Sequence, residues 1–398
     1  VPDCRSPYRL VVAPDKFKGS LTAVQVAERV AAGFEAGFTR ALAPGTAVDL
    51  AVERVPVADG GEGTVAAALA AGWRPLTATV AGPTGEPVRA TCARSGDAAI
   101  VELAEASGLD LLPGGVLAPL AAGTRGTGEL LLAALDDGAR EVVLAVGGSA
   151  STDGGAGLLA ACGARLLDER GEELPDGGGA LAALERVDLA GLDPRLASVR
   201  TVLAADVDNP LLGPRGAAAV FGPQKGASPE DVALLETGLA RFAAALSAAG
   251  APDARALPGA GAAGGTGLVA LGVLRGRRRP GIDVVLELTR FAERAAGADL
   301  VVTGEGSFDE QSLGGKTPVG VALAAARLGV PVVAMSGRRA LEERQWRAAG
   351  FAGAHALTDL EPEPARCIAE AGPLLERLAA GLGERTAREL TSRPCPQG

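Results

Sequence analysis

Short apolar runs rich in β-branched residues recur along this chain, and each gives way to a Gly- and Asp-rich stretch and then to an Ala/Leu-rich segment of helical character. The clearest copies are Leu10 to Pro14 before Asp15 to Ser20, Val55 to Ala58 before Asp59 to Thr64, and Val142 to Val146 before Gly147 to Gly157. Downstream, Val202 to Ala205 leads into Asp206 to Pro210, and Leu300 to Thr303 leads into Gly304 to Lys316. Repeated strand, loop and helix units build mostly parallel sheets, whose ligand sites lie beyond the carboxyl ends of the strands. The predicted class is therefore α/β.

The 398 residues suit two domains rather than one core. Gly- and Pro-rich crossings at Ala81 to Pro87 and at Arg275 to Gly281 predict an α/β domain over 81–281, inserted into a discontinuous first domain made of 1–80 and 282–390. Beyond His355 the chain reads as Glu-, Arg- and Ala-rich helix, with a Pro-rich tail expected to fray.

A hydrophobic fraction of 47% with 22% charged residues is that of a soluble globular protein. Lys+Arg 38 against Asp+Glu 48 gives a net charge of −10, with no basic block to follow a phosphate backbone, so nucleic acid is not an expected partner. The one dense basic run, Arg275 to Arg279, precedes Pro280 and Gly281 and is expected as a solvated turn. Five cysteines (Cys4, Cys92, Cys162, Cys367, Cys395) without CxxC spacing indicate neither a disulfide framework nor a zinc site, which fits a reducing compartment. No apolar run is long enough to span a bilayer and Val1 to Pro7 lacks the apolar segment of a signal peptide, so the expected location is the cytoplasm.

Of the 38 basic residues only Lys16, Lys18, Lys225 and Lys316 are lysines. Where any cation serves, this chain uses Arg, so the lysines mark places that call for a compact ammonium on a flexible stem. They lie in Asp15-Lys-Phe-Lys-Gly-Ser20, Gly222-Pro-Gln-Lys-Gly226 and Gly314-Gly-Lys-Thr317, beside small residues that let a ligand approach the backbone. Phosphate binding is the functional reading, and loop capping or pairing with carboxylates the structural one.

Asp-Gly-Gly-x-Gly occurs twice, as Asp59-Gly-Gly-Glu-Gly63 and Asp153-Gly-Gly-Ala-Gly157. Consecutive glycines before a helix expose backbone N–H groups to phosphate or carboxylate oxygens, while the Asp holds Mg²⁺, orients a hydroxyl or caps the helix. Gly147-Gly-Ser149 precedes the second copy, and Pro258 to Gly267 is a third glycine loop, a candidate cradle for nucleotide phosphates. Gly314-Gly-Lys-Thr317 is not a Walker A loop, because Glu310 stands where that motif needs Gly, and no GxGxxG follows the first strand. Glu305, Asp309 and Gln311 follow an apolar strand and are candidates for substrate hydroxyls or metal. The sole histidine, His355, lies between Ala354 and Ala356 and is expected in a core or surface role, which leaves general-base work to carboxylates. Phosphoryl transfer suits such a set, since it demands mainly positioning and charge neutralisation.

Ala13 to Leu21, Pro56 to Thr64, Glu102 to Leu109, Gly126 to Leu130, Gly147 to Gly157, Asp206 to Leu211, Phe221 to Gly226, Pro258 to Gly265, Gly304 to Gln311 and Gly315-Lys316 together resemble the bacterial glycerate kinase family, type 1, almost end to end. The resemblance implies ATP- and Mg²⁺-dependent conversion of D-glycerate to a phosphoglycerate, usually the 2-phosphate. It also implies a discontinuous Rossmann- or flavodoxin-like domain with a second α/β domain inserted and the site in the cleft. The resulting assignment gives Gly147, Gly148, Ser149, Lys225, Gly264 and Gly265 to the ATP phosphates, and Asp206 and Asp153 to Mg²⁺. Lys16, Lys18 and Lys316 go to the acid's carboxylate or the transferring phosphoryl group, Asp59 or Asp153 to the hydroxyl proton, and Ser20, Glu305, Asp309 and Gln311 to the substrate. The alternatives are a kinase of a related small hydroxy acid, tartronate- or erythronate-like, and a catalytically silent metabolite-binding regulator of the same fold.

Overall fold

The computed structural model describes residues 7–42 and 48–392, so Cys4, Cys395, the start of the leader reading and the Pro-rich end lie outside the described residues. Its strands are β1 (Tyr8–Val12), β2 (Leu50–Arg54), β3 (Arg74–Ala81), β4 (Pro87–Ser95), β5 (Ala98–Glu102), β6 (Glu141–Ala145), β7 (Arg165–Leu167), β8 (Arg186–Asp188), β9 (Arg200–Ala204), β10 (Arg277–Arg279), β11 (Leu300–Thr303), β12 (Ser307–Phe308), β13 (Val332–Ser336), β14 (Arg338–Arg339) and β15 (Gly353–Ala356). The chain divides into two compact units, Val1–Asp59 with Val285–Gly398, and Gly60–Val284.

In the first unit five strands lie in the order β15-β13-β11-β1-β2, every neighbouring pair parallel. Counted along this unit, that is the flavodoxin order 2-1-3-4-5, in which the strand order reverses between β1 and β11. The inner strands β1, β11 and β13 are largely apolar because both faces are covered. Leu10, Val12, Val302 and Met335 share a core with Val26, Val30, Phe34 and Phe38 of the helix Ala23–Ala41 and with Leu374, Leu375 and Leu378 of the helix Ala371–Ser392. The first of these helices begins in a capping box, in which Thr22 accepts from the Gln25 N–H and the Gln25 side chain accepts from the Thr22 N–H. Its partner can approach because Gly37 has no side chain, and a Cβ there would stand 2.0 Å from the Ala380 carbonyl oxygen.

The second unit holds six strands in the order β10-β9-β6-β5-β4-β3. β5, β6, β9 and β10 are mutually parallel, whereas β3, β4 and β5 form an antiparallel meander. Residues 60–80, expected in the first domain, belong here, because β3 pairs along its length with β4. The Arg275 to Arg279 run is not a plain turn: Arg277 to Arg279 pair with Val202 to Ala204 as an edge strand, where charged side chains keep the open edge from pairing further. Val55 to Ala58, expected as a strand, is a buried extended continuation of β2, tied to β1 by Val55 N–H donating to the Val12 carbonyl at 2.8 Å. Among the described residues no helix is long and apolar enough to cross a membrane, and Cys92, Cys162 and Cys367 are free.

Candidate functional site

Parallel pairing brings the carboxyl ends of β1, β11 and β13 level, through Val12 with Val302 and Thr303 with Ala334. The loops leaving these ends enclose a cavity of about 440 Å³ on the first unit, at the reversal point between β1 and β11. Lys16, Lys18, Ser20, Asp59, Glu305, Asp309, Gln311 and Lys316 all line it. Eight of the residues assigned above from different stretches of sequence thus fall in one place. Lys316 Nζ donates to Gln311 Oε1 at 3.0 Å, and Asp309 caps the short helix that follows by accepting from the Gln311 N–H at 3.0 Å.

Of the acidic groups of this cavity, Asp15 is buried and Glu305 partly so. Asp15 is 9% exposed, and its Oδ2 accepts from the Thr317 hydroxyl at 2.8 Å. Burial first, and then the neighbouring Asp59 carboxylate, push its pKa up to about 7, against the hydrogen bonds from Thr317 and Lys16. Glu305 is likewise raised to about 7 by burial, with the Ser312 hydroxyl bond opposing. Asp15 and Arg338, both lining the cavity, were not singled out in the sequence. Asp15 could have been found as the first polar residue after the first apolar run. Arg338 could have been found through Ser336-Gly-Arg338, which repeats the strand-then-glycine pattern after Val332 to Met335.

The second unit carries a separate set of polar groups at its own strand ends. Glu102, Ala145 and Ala204 lie level across β5, β6 and β9, so the loop 146–155 and the loop 205–210 leave the same edge. Gly148 is exposed with φ +65, a conformation that favours glycine, and Gly147 packs where a Cβ would stand 2.7 Å from Gly61 Cα. Lys225 is 2% exposed, and its Nζ donates to Ser149 Oγ at 2.8 Å and to the Ser151 carbonyl. Burial pulls this ammonium down to about 7, opposed by the nearby Asp153. Beside it the buried hydroxyls of Ser151 and Thr152 have no hydrogen-bond partner among the described residues, an uncommon state for buried polar atoms and one that a bound polar ligand would relieve.

Two expectations for this region change. Asp153 is fully buried, its Oδ2 accepting from the Thr124 N–H at 2.9 Å, the Thr124 hydroxyl at 2.8 Å and the Gly157 N–H at 3.1 Å, and its Oδ1 from the Gly155 N–H at 3.1 Å. Fully buried, with three donors on Oδ2 and one on Oδ1, it holds the loop together rather than facing an incoming hydroxyl or Mg²⁺. Gly264 and Gly265 are buried against protein rather than open to a phosphate: a Cβ on Gly264 would stand 2.0 Å from the Ser151 carbonyl oxygen, and one on Gly265 2.8 Å from Leu211 Cδ1.

Asp206 is exposed two residues beyond β9, with Oδ1 accepting from the Gly281 N–H at 2.7 Å. Among the described residues no three His, Cys, Asp or Glu side chains gather as a metal cage. Mg²⁺ in nucleotide sites takes one or two carboxylates with the substrate phosphates, so a single exposed aspartate on this loop edge is compatible with it.

Parallel sheets with polar loops at their carboxyl ends, one set enclosing an acid- and lysine-lined cavity, define an α/β enzyme of small-molecule chemistry. The model of the glycerate kinase family matches residues 10–387, and the chain belongs to that family. It is 44% identical to the glycerate kinase of Bacillus subtilis strain 168, over 96% of this chain and 97% of that one. To the glycerate 2-kinase of Escherichia coli K12 it is 44% identical over 83% and 85%. A crystal structure of a provisionally assigned glycerate kinase 2 from Salmonella typhimurium LT2 superposes with a TM-score of 0.79 at 36% identity, covering 97% of this chain and 99% of that one.

Proposed function

We propose that this chain transfers the γ-phosphoryl group of ATP to the 2-hydroxyl of D-glycerate, giving 2-phosphoglycerate and ADP. The observation that carries the reading is the cavity of about 440 Å³ in which three of the four lysines meet Asp59, Glu305, Asp309 and Gln311. Phosphorylation of an anionic hydroxy acid needs that combination, with cations against its negative charge and acceptors for its hydroxyls. Asp59 takes the proton of the attacking hydroxyl, the oxygen bonds to the γ-phosphorus, and the bond to the ADP oxygen breaks. Lys16, Lys18 and Lys316 neutralise charge that gathers on the phosphoryl oxygens. Gly148, Ser149 and Lys225 hold the nucleotide phosphates, with the unsatisfied Ser151 and Thr152 hydroxyls as further donors. Asp206 would hold Mg²⁺, which would supply positive charge against the phosphate oxygens. Buried, unpaired Cys92, Cys162 and Cys367 fit work in the cytoplasm.

The test is ADP release from Mg·ATP with D-glycerate and L-glycerate, with the product resolved by phosphorus NMR. D-selective formation of the 2-phosphate supports the proposal. The 3-phosphate would overturn its regiochemistry, and turnover only on another hydroxy acid would overturn its substrate.

A further inference from the structure

Adjacent arginines leave β13 by way of Gly337 and have opposite fates. Arg339 is tied into the protein, donating to the Ala354 carbonyl and lying 3.3 Å from Asp359. Arg338, one position away on the short strand and so on its other face, lines the cavity. Asp15, Asp59, Glu305 and Asp309 line the same cavity, yet among the described residues Arg338 makes no ion pair with Asp15, Glu305 or Asp309. What Arg338 touches instead is a hydroxyl: its Nη2 donates to Ser307 Oγ at 3.3 Å, and Ser307 Oγ in turn donates to Asp309 Oδ2 at 2.9 Å. The parallel pairing of Ser307 with Arg338 across β12 and β14 fixes this approach through the backbone. Ser307 therefore acts as a spacer that orients the guanidinium without letting Asp309 neutralise it.

We propose that Arg338 is the group that recognises the carboxylate of the acid substrate, with Ser307 as its positioning residue. This rests on the reading of the cavity as the acid site and divides the labour within it. A guanidinium offers a planar fork of N–H donors that matches a carboxylate in two parallel hydrogen bonds, which a lysine ammonium cannot do. Lys316 already donates to Gln311, and the lysines, as flexible point charges, are left to the phosphoryl oxygens. Arg338 thus makes a carboxylate a condition of binding and sets acids apart from neutral polyols.

The experiment compares D-glycerate with glycerol as acceptor, in the wild-type chain and in Arg338→Ala, Arg338→Lys and Ser307→Ala. Arg338→Ala should raise KM for D-glycerate by about 30-fold or more, leave KM for ATP within about twofold, and shrink the preference for D-glycerate over glycerol by the same factor. Arg338→Lys should recover only part of the loss, added methylguanidinium should restore Arg338→Ala, and Ser307→Ala should raise KM by about threefold. An unchanged KM for D-glycerate in Arg338→Ala overturns the proposal and returns the carboxylate to the lysines. If the wild-type chain turns over no hydroxy acid, the functional reading has failed separately. Calorimetric binding of D-glycerate then decides: binding lost in Arg338→Ala upholds the carboxylate role, and binding equal in both proteins, or absent from both, overturns it.

Discussion

The same five-residue pattern, Asp-Gly-Gly-x-Gly, stands at 59–63 and at 153–157, and the fold uses the two aspartates in opposite ways. Asp59 lines an open cavity beside three lysines. Asp153 is sealed under Thr124 and the glycines of its own loop. The lysines divide likewise: Lys18 is exposed at the cavity, whereas Lys225 is enclosed and loses its normal affinity for a proton. A shared motif thus sets loop shape, while what packs over the loop sets how far its aspartate is exposed.

The sharpest way to break this comparison is to neutralise each aspartate. Asp59→Asn should lower kcat by roughly 10²- to 10⁴-fold with an unchanged denaturation midpoint, the range expected for losing a general base. Asp153→Ala should instead destabilise the fold by about 3 kcal/mol or more in a denaturant titration, since four donors lose their acceptor. If Asp153→Ala kept its midpoint and lost kcat, the two roles would have to be exchanged. Next in size, Lys225→Met should raise KM for ATP by about tenfold to hundredfold, the worth of a charge-assisted hydrogen bond, and leave KM for the acid nearly unchanged.

The smallest expected effect concerns pH and stability. The pKa of Asp15 is raised in the folded state from 3.8 to about 7, so the folded chain binds the extra proton in that interval. Its contribution to stability is full below pH 3.8 and is lost as pH rises through about 7. Asp15→Asn should therefore gain on the wild type between pH 5 and pH 8, by an amount on the order of 2 °C in Tm. A difference that does not change with pH would mean that the Asp15 carboxyl titrates normally.

The strands that were legible in the sequence were those buried on both faces. Leu300 to Thr303 reads as a continuous apolar run because helices cover both sides of β11, and Val142 to Val146 differs from β6 by one residue. Strands β3 and β4 were missed because half-exposed antiparallel strands alternate, and Arg74, Thr77, Thr79, Arg89 and Thr91 dilute the apolar signal. In the site, the lysines were found through their rarity among 38 basic residues. Arg338 was hidden by the reverse, one arginine among 34, and only the geometry separates it from Arg339.

The interrupted first unit also constrains how the molecule can assemble as it is synthesised. β1 is synthesised well before one of its two neighbours, β11, which begins at Leu300, after the whole of Gly60–Val284 has been made. Chain synthesis runs at roughly 5–20 residues per second, and contiguous domains can fold while it proceeds. The second unit can therefore close first, while the apolar edge of β1 waits on the order of ten seconds or more for its partner. The strand that begins the cavity is made before the second unit and gains its β11 neighbour only after it, and that interval is when a chaperone would find the most exposed surface to protect.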